Sequence, residues 1–387
     1  MSPSSGLEVA DIVRRFGPAF RETHRGHLNR PQLRALGAIE ACRTAALGGH
    51  VYECAHCGAE KIVYNSCRNR HCPKCQGLEK ARWLEQRCEE LLPVPYFHVV
   101  FTLPEELNPL VLSDPRFVYD LLFRCASETL LEIAADPKHL GARIGVLAVL
   151  HTWGQKLNLH PHLHCIVPGG GLSPNGKRWI GSSPDFFLPV RVLKKLFRGK
   201  VLAALKAAEQ KGDLPAARLP DLRALYRKPW VVYCKPPFGS PEQVLAYLGR
   251  YTHRVALSNS RLVRIDDEKV SFTWKDYADQ NRIREMTLSG EEFLRRFVLH
   301  VLPERFVRIR YFGLWANRHR QEALARCREI LPGSPPGAKV EKTDWRELYQ
   351  KLTGLDPSQC EICGQKALRL ARELSPVRRR ERPPPCT

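Results

Sequence analysis

Apolar residues recur every three to four positions in the first part of the chain, at Ile12, Val13, Phe16 and Phe20 and then at Leu33, Leu36 and Ile39. That spacing predicts helix across residues 11–48, with one face buried. Gly48-Gly49 ends the pattern. Lys61-Ile62-Val63-Tyr64 reads as a short strand within a cysteine-rich stretch, and a helix with one heavily charged face is predicted over 78–92. Pro93 and Pro95 mark a boundary.

Beyond it, Phe97-His98-Val99-Val100-Phe101-Thr102-Leu103 is a continuous strand-forming run closed by Pro104. Helices are predicted over 115–135 and 190–211. Residues 143–167 read as two strands around the turn Gly154-Gln155-Lys156-Leu157-Asn158, the second ending at Pro168-Gly169-Gly170-Gly171. A strand at 229–235 follows, then a helix opened by Pro241 and reaching residue 251. Residues 261–274 alternate as a hairpin around Asp266-Asp267-Glu268, and 289–330 is a mixed helical segment. From 332 onward the chain is Pro-rich and ends in an Arg cluster, Arg378-Arg379-Arg380-Glu381-Arg382. No internal repeat is found.

Charge narrows the class. The 387 residues carry 61 Lys+Arg against 40 Asp+Glu, a net charge of +21. That balance argues against a generic acidic enzyme and for a polyanionic partner, nucleic acid first. The run Ile144–Leu150 is far too short to cross a bilayer, and residues 1–13 lack a basic flank followed by an apolar core, so no signal peptide is expected. A soluble, intracellular protein is the expectation.

Fourteen cysteines are too few for a disulfide scaffold of this length, and they cluster. Cys54-x2-Cys57 is followed, after fourteen residues, by Cys72-x2-Cys75. Two CxxC knuckles at this separation predict a structural zinc on four thiolates. Gly58 permits the turn after the first knuckle. Cys42, His50, Cys67 and His71 supply a possible second zinc set. A further pair, Cys360 and Cys363, is assigned either to a small site with Cys327 and His319 or to free thiols on the tail. Arg68, Arg70 and Lys74 beside the knuckles suit phosphate contact. Trp153, Trp179, Trp230, Trp274 and Trp315 are weighed between base stacking and core packing, with packing favoured for most.

His160-Pro161-His162-Leu163-His164 is the most informative short stretch. On a strand, residues two apart share a face, so His162 and His164 can chelate one cation. A hairpin symmetric about the 155–158 turn sets His151 across from His162. His151, His162 and His164 then form a three-imidazole site with open positions; His160 and, less well, Gln155 are rivals for the third place. Near the end of the helix opened by Pro241, Tyr247 and Tyr251 stand at i and i+4 on one face. A phenol can attack phosphorus where a metal polarises the phosphoryl oxygens, and Arg250 and Arg254 are placed to stabilise charge.

In chain order, the strand Phe101-Thr102-Leu103, the pair His162 and His164, and the tyrosine helix resemble the HUH-type single-strand nucleases. The strings CRNRHCPKCQ (67–76), LPVPYFHVVFTLP (92–104), HTWGQKLNLHPHLHCIVPGGG (151–171) and YLGRYTHRVALSNSRL (247–262) resemble the two-tyrosine transposases of IS91-type bacterial insertion sequences. The similarity spans about residues 30–320. It implies an α+β fold, a mainly antiparallel sheet flanked by helices, with a small helical and zinc-ribbon domain before it and a helical, basic region after it. The expected segments are 11–92 (helical and zinc-binding), 93–300 (catalytic), 301–340 (helical extension) and 341–387 (tail).

The resemblance further implies Tyr247 and Tyr251 as nucleophiles, His162 and His164 as ligands of Mg2+ or Mn2+, and one or two structural Zn2+. His151 carries over from the three-histidine site of related relaxases. The implied reaction cuts and rejoins single-stranded DNA ends of an insertion element, and target DNA, through a 5′-phosphotyrosine. No membrane and no ATP are expected as partners, and the place of action is the bacterial cytoplasm and nucleoid. The rival readings are a plasmid replication initiator or relaxase of the same superfamily, and a non-catalytic zinc-ribbon nucleic-acid-binding protein.

Overall fold

The structure is a computed structural model and describes residues 6–235, 243–244, 249, 256–333 and 343–377. The chain is α+β and forms two compact units: residues 1–83, 253–301 and 341–387 make one, and 84–252 with 302–340 the other. The expected division into four consecutive segments is therefore replaced by an interleaved one.

The first unit begins with α1 (Val9–Thr23) and α2 (Arg30–Ala41). Each opens on a reciprocal cap, Glu8 with Asp11 and Asn29 with Gln32. Strands β1 (Gly49–Cys54) and β2 (Glu60–Tyr64) form an antiparallel hairpin, and α3 (Gln76–Cys88) follows and runs into the second unit. Later segments return to this unit. Strands β9 (Leu262–Ile265), β10 (Lys269–Asp276) and β11 (Arg282–Ser289) form an antiparallel sheet in the order β11-β10-β9. Helix α8 (Gly290–Val298) packs on α1, burying Phe293, Leu294, Phe297 and Val298. That apolar stripe matches the buried Val9, Ile12, Val13 and Phe20 of α1, which explains why residues 262–298 leave the catalytic segment expected to hold them. Helix α10 (Trp345–Thr353) and strand β13 (Leu368–Leu374) complete the unit. β13 pairs antiparallel with β1, giving the sheet order β13-β1-β2. Part of the expected tail is thus a sheet strand.

The second unit is built on five antiparallel strands in the order β12-β4-β5-β3-β8. They are β3 (Tyr96–Thr102), β4 (Gly145–Trp153), β5 (Leu159–Pro168), β8 (Val231–Lys235) and β12 (Ile309–Gly313). β12 lies inside the stretch expected to be helical. A small pair, β6 (Gly170–Leu172) and β7 (Trp179–Gly181), extends from β5. Among the described residues its helices are α4 (Asn108–Ser113), α5 (Pro115–Ala135), α6 (Val190–Gln210), α7 (Leu222–Arg227) and α9 (Arg320–Ile330). α5 begins where Pro115 follows the N-cap Asp114, whose carboxylate accepts from the Phe117 N–H.

One face of the sheet presents Phe97, Val99, Phe101, Val146, Ala148, Leu150, Leu163, Cys165 and Val167 to buried residues of α5 and α6, among them Leu122, Ala126, Phe197 and Val201. This is the core of the unit. It fixes the strand register, because a slip of one residue would turn these side chains out and the polar ones in. The opposite face carries the candidate chemistry. Among the described residues, no helix is long and apolar enough to cross a membrane.

Candidate metal centres

β5 is the central strand of the five, and its alternate residues His160, His162 and His164 share the face opposite the core. The β4–β5 turn sets what lies across from them. There the Gly154 N–H donates to the Asn158 carbonyl at 3.0 Å, and a Cβ on residue 154 would displace the Asn158 side chain that closes over it. This closure pairs His151 with His162, and Val149 with His164. On the other side β3 sets Thr102 opposite His162 and Val100 opposite His164.

His151, His162 and His164 each bring a ring nitrogen within 4.8 Å of the others. His162 Nε2 and His164 Nε2 are 3.1 Å apart. Two nitrogens each about 2.1 Å from one ion, at right angles, are separated by about 3.0 Å, so the spacing fits a shared cation. The outer nitrogens are engaged: His162 Nδ1 lies 2.7 Å from the His160 carbonyl, and His164 Nδ1 lies 2.8 Å from His98 Nε2. A Nδ1–H donating outward leaves the Nε2 lone pair directed into the cluster, as a metal ligand needs. Burial, helped by the nearby positive Lys235, pushes the His98 imidazole down to about 3. His98 is therefore neutral and can accept the proton of His164.

Of the rival ligands, the exposed His160 contributes its carbonyl rather than its ring and does not belong to the cluster. His98 is the participant that the sequence reading missed. The signal was present in the strand Tyr96–Thr102, but it needed the pairing of β3 with β5, which no local pattern specifies. Tyr247, Tyr251, Arg250 and Arg254 lie outside the described residues. Just before them, β8 places Tyr233 and Lys235 on the histidine face, with the Tyr233 ring edge-on to His98 at 6.1 Å between centroids.

The thiols assemble into two groups of four that differ from the expected sets. Cys54 and Cys57 join Cys360 and Cys363, while Cys72 and Cys75 join Cys42 and Cys67. The pairing of β1 with β13 sets Cys54 opposite Leu368 and so carries the 360–363 loop to the first knuckle. The C-terminus of α2 brings Cys42 to the other knuckle. His50 and His71 belong to neither group, and nor do Cys327, buried on α9, and His319.

Sγ–Sγ separations of 3.4 Å (Cys42–Cys75), 3.6 Å (Cys67–Cys75 and Cys54–Cys363) and 3.8 Å (Cys57–Cys360) match the edge of a tetrahedron, about 3.8 Å for zinc–sulfur bonds of about 2.3 Å. They are far from the roughly 2.05 Å of a disulfide. The two CxxCG knuckles have the same backbone: Gly58 and Gly364 both have φ +73°, and each donates its N–H to the carbonyl of its first cysteine. Backbone N–H groups of Cys57 and His56 pull the Cys54 thiol down to about 6, and those of Cys363 and Ile362 lower Cys360 in the same way. At the other cluster, Arg43 and Arg68 directly follow ligands and hold left-handed backbone, φ 55° and 52°, conformations that cost energy and persist where the surroundings impose them.

Among the expected phosphate contacts, Arg68 is exposed and Arg70 half-buried. Lys74 is committed to Glu8 at 2.5 Å, with 18% of its side chain exposed. Trp230 and Trp315 are core residues. Trp153 stacks on His151 at 4.6 Å.

Residues 145–323 match a family described as "Putative transposase", and residues 12–103 match a "Transposase zinc-binding domain". A relative in Sinorhizobium fredii, "Putative transposase y4qJ", is 54% identical over 376 residues, covering 93% of this chain and 94% of its own length. The "Transposase for insertion sequence element IS801" of Pseudomonas savastanoi pv. phaseolicola is 30% identical over 357 residues, covering 88% and 84%. No solved structure matches the chain.

Proposed function

The chain belongs to the IS91-type transposase family, with its N-terminal zinc-binding domain, and from that premise we propose that it cuts and rejoins single-stranded DNA at element ends through a tyrosine. The observation that carries this reading is the convergence of a ring nitrogen from each of His151, His162 and His164, with the Nε2 atoms of His162 and His164 3.1 Å apart. His151, His162 and His164 would hold a divalent cation, which when bound would supply electrostatic stabilisation of the charge that develops on the phosphate. An all-imidazole set favours Mn2+ over Mg2+ on affinity, and abundance favours Mg2+.

Tyr247 or Tyr251 attacks the scissile phosphorus in line. The phenol gives up its proton as its oxygen–phosphorus bond forms, the bond from phosphorus to the 3′ oxygen breaks, and that oxygen takes up one proton in exchange, through solvent, to become a free 3′-OH. The strand remains attached through a 5′-phosphotyrosine, so the bond energy is retained and no ATP is consumed. The second tyrosine serves a second cut, and the 3′-OH reverses the first link. Arg250 and Arg254 stabilise charge at the phosphate. Arg68 and Arg70 hold DNA beside the zinc module. The two thiol clusters each hold a structural Zn2+. The site of action is cytoplasmic DNA.

The test uses a labelled single-stranded element-end oligonucleotide, with and without Mn2+, analysed on a denaturing gel. A covalent adduct should appear with the metal. It should vanish in Tyr247→Phe/Tyr251→Phe with binding retained; an adduct that survives both substitutions overturns the nucleophile assignment.

A further inference from the structure

We propose that the cavity between α6 and α7 is a second single-stranded DNA site, stacking a base on Tyr226 and holding phosphates with Arg198, Lys206, Arg223 and Arg227. The proposal rests on the reading that this chain handles unpaired DNA, and it assigns where a non-reacting part of the strand is held.

The cavity has a volume of about 390 Å3. Its floor is apolar, from Leu202, Leu222 and the ring of Tyr226, and its rim is cationic, from Lys206, Arg223 and Arg227; no carboxylate lines it. Arg198 lies over the Tyr226 ring at 4.4 Å, yet the tyrosine remains 59% exposed. Among the described residues none of these four cations has an ion pair, and the buried Arg198 Nε has no hydrogen-bond partner. Their neighbours differ. Lys200 on α6 pairs with Glu132 at 2.8 Å, and Lys228 at the end of α7 pairs with Glu106 at 2.5 Å. Four cations without an ion pair thus stand around one exposed aromatic ring, a combination of charge and open π-face that the paired Lys200 and Lys228 do not offer.

The chemistry selects the ligand. A bare anion has no use for an exposed phenol ring, and a duplex keeps its base faces stacked on one another. An unpaired nucleotide offers both a π-face and a phosphate, and aromatic stacking backed by arginine is how strands are held without regard to sequence. Placement agrees. α6 covers the core face of the sheet, away from the histidines, while α7 leads through Trp230 into the edge strand β8, which puts Tyr233 and Lys235 on the histidine face. A strand leaving the cavity along β8 would round the edge of the sheet toward the metal ligands.

The experiment measures binding of fluorescein-labelled oligo-dT and of a duplex of equal length to the zinc-loaded full chain carrying Tyr247→Phe/Tyr251→Phe, so that no covalent capture contributes. Tyr226→Ala should weaken oligo-dT binding by about tenfold while Tyr226→Phe preserves it. Arg223→Ala/Arg227→Ala should reduce the slope of log affinity against log salt by about 1.4, roughly 0.7 for each phosphate that is no longer neutralised. Duplex affinity should change less than twofold. Unchanged oligo-dT binding in both sets, or equal losses on duplex, overturns the proposal. Photocrosslinking of 5-iodouracil DNA to the otherwise unsubstituted chain guards against a folding defect: a crosslink at Tyr226 supports the site, and crosslinks only elsewhere refute it. If element ends form no covalent adduct but binding still depends on Tyr226, the cleavage reading fails and this site stands.

Discussion

His98 Nε2 lies 2.8 Å from His164 Nδ1, and the two rings stack at 5.1 Å with planes 11° apart. The contact joins adjacent strands β3 and β5 on the histidine face. It makes His98 a positioning residue, because the proton it accepts decides which His164 nitrogen faces the metal. His98→Ala should weaken Mn2+ binding about 10–100-fold, the usual cost of losing such an outer partner. His98→Gln, whose carbonyl can accept the same proton, should recover part of that loss. Titration followed by electron paramagnetic resonance reads the affinity directly. Unaltered binding in His98→Ala would show that His164 needs no support.

The regrouped thiols give a stoichiometric prediction. Metal analysis of the purified chain should find two Zn2+. Cys360→Ser/Cys363→Ser should leave one, at the cluster of Cys42, Cys67, Cys72 and Cys75, and Cys327→Ser should leave two. Because closure of the first site joins β1 to the loop before β13, its loss should also lower the melting temperature of the first unit. A zinc count of one in Cys327→Ser would return that residue to the ligand set.

The histidine cluster was legible in the sequence, and the zinc partnerships were not. His151, His162 and His164 sit within one hairpin whose turn fixes the register, so local geometry determines their meeting. The first thiol group depends on contacts separated by about 300 positions, so proximity along the chain joined the two N-terminal knuckles to each other instead. A signal did exist: 54–58 and 360–364 both read CxxCG, whereas Cys75 is followed by Gln76. β11 and β13 were missed because most of their residues are exposed and charged side chains interrupt the apolar ones, which leaves little buried face to read.

Glu292 provides a pH test within α8. Arg295 grips its carboxylate through Nε at 2.5 Å and a second nitrogen at 2.9 Å, and Arg296 adds a contact at 2.6 Å. These bonds, Arg295 first, hold the carboxyl down to about 2 against an ordinary 4.5. Depression of an acid favours the ionised form in the folded chain, so the stabilisation is complete above about pH 4.5 and disappears as pH falls through 2. The side chain is 30% exposed, and solvent screening reduces the contribution to about 1 kcal/mol. Urea unfolding of the parent and Glu292→Gln should differ by about that much at pH 6, with the gap closing toward pH 2. A gap that stays constant would mean that the carboxylate is not held.

Lys74 and Arg68 flank the same thiol cluster but should differ in DNA binding. Lys74 is tied to Glu8 and largely covered, so a phosphate would have to displace a carboxylate already in place. Arg68 is exposed and has no side-chain partner among the described residues. Arg68→Ala should reduce the salt slope for single-stranded DNA by about 0.7, the share of one neutralised phosphate, and Lys74→Ala should leave it unchanged. Glu8→Gln adds a control. By freeing Lys74 it should raise the slope, and Lys74→Ala in that background should restore it. If Lys74→Ala alone lowers the slope as Arg68→Ala does, DNA displaces Glu8 from the pair and Lys74 rejoins the residues that hold phosphate.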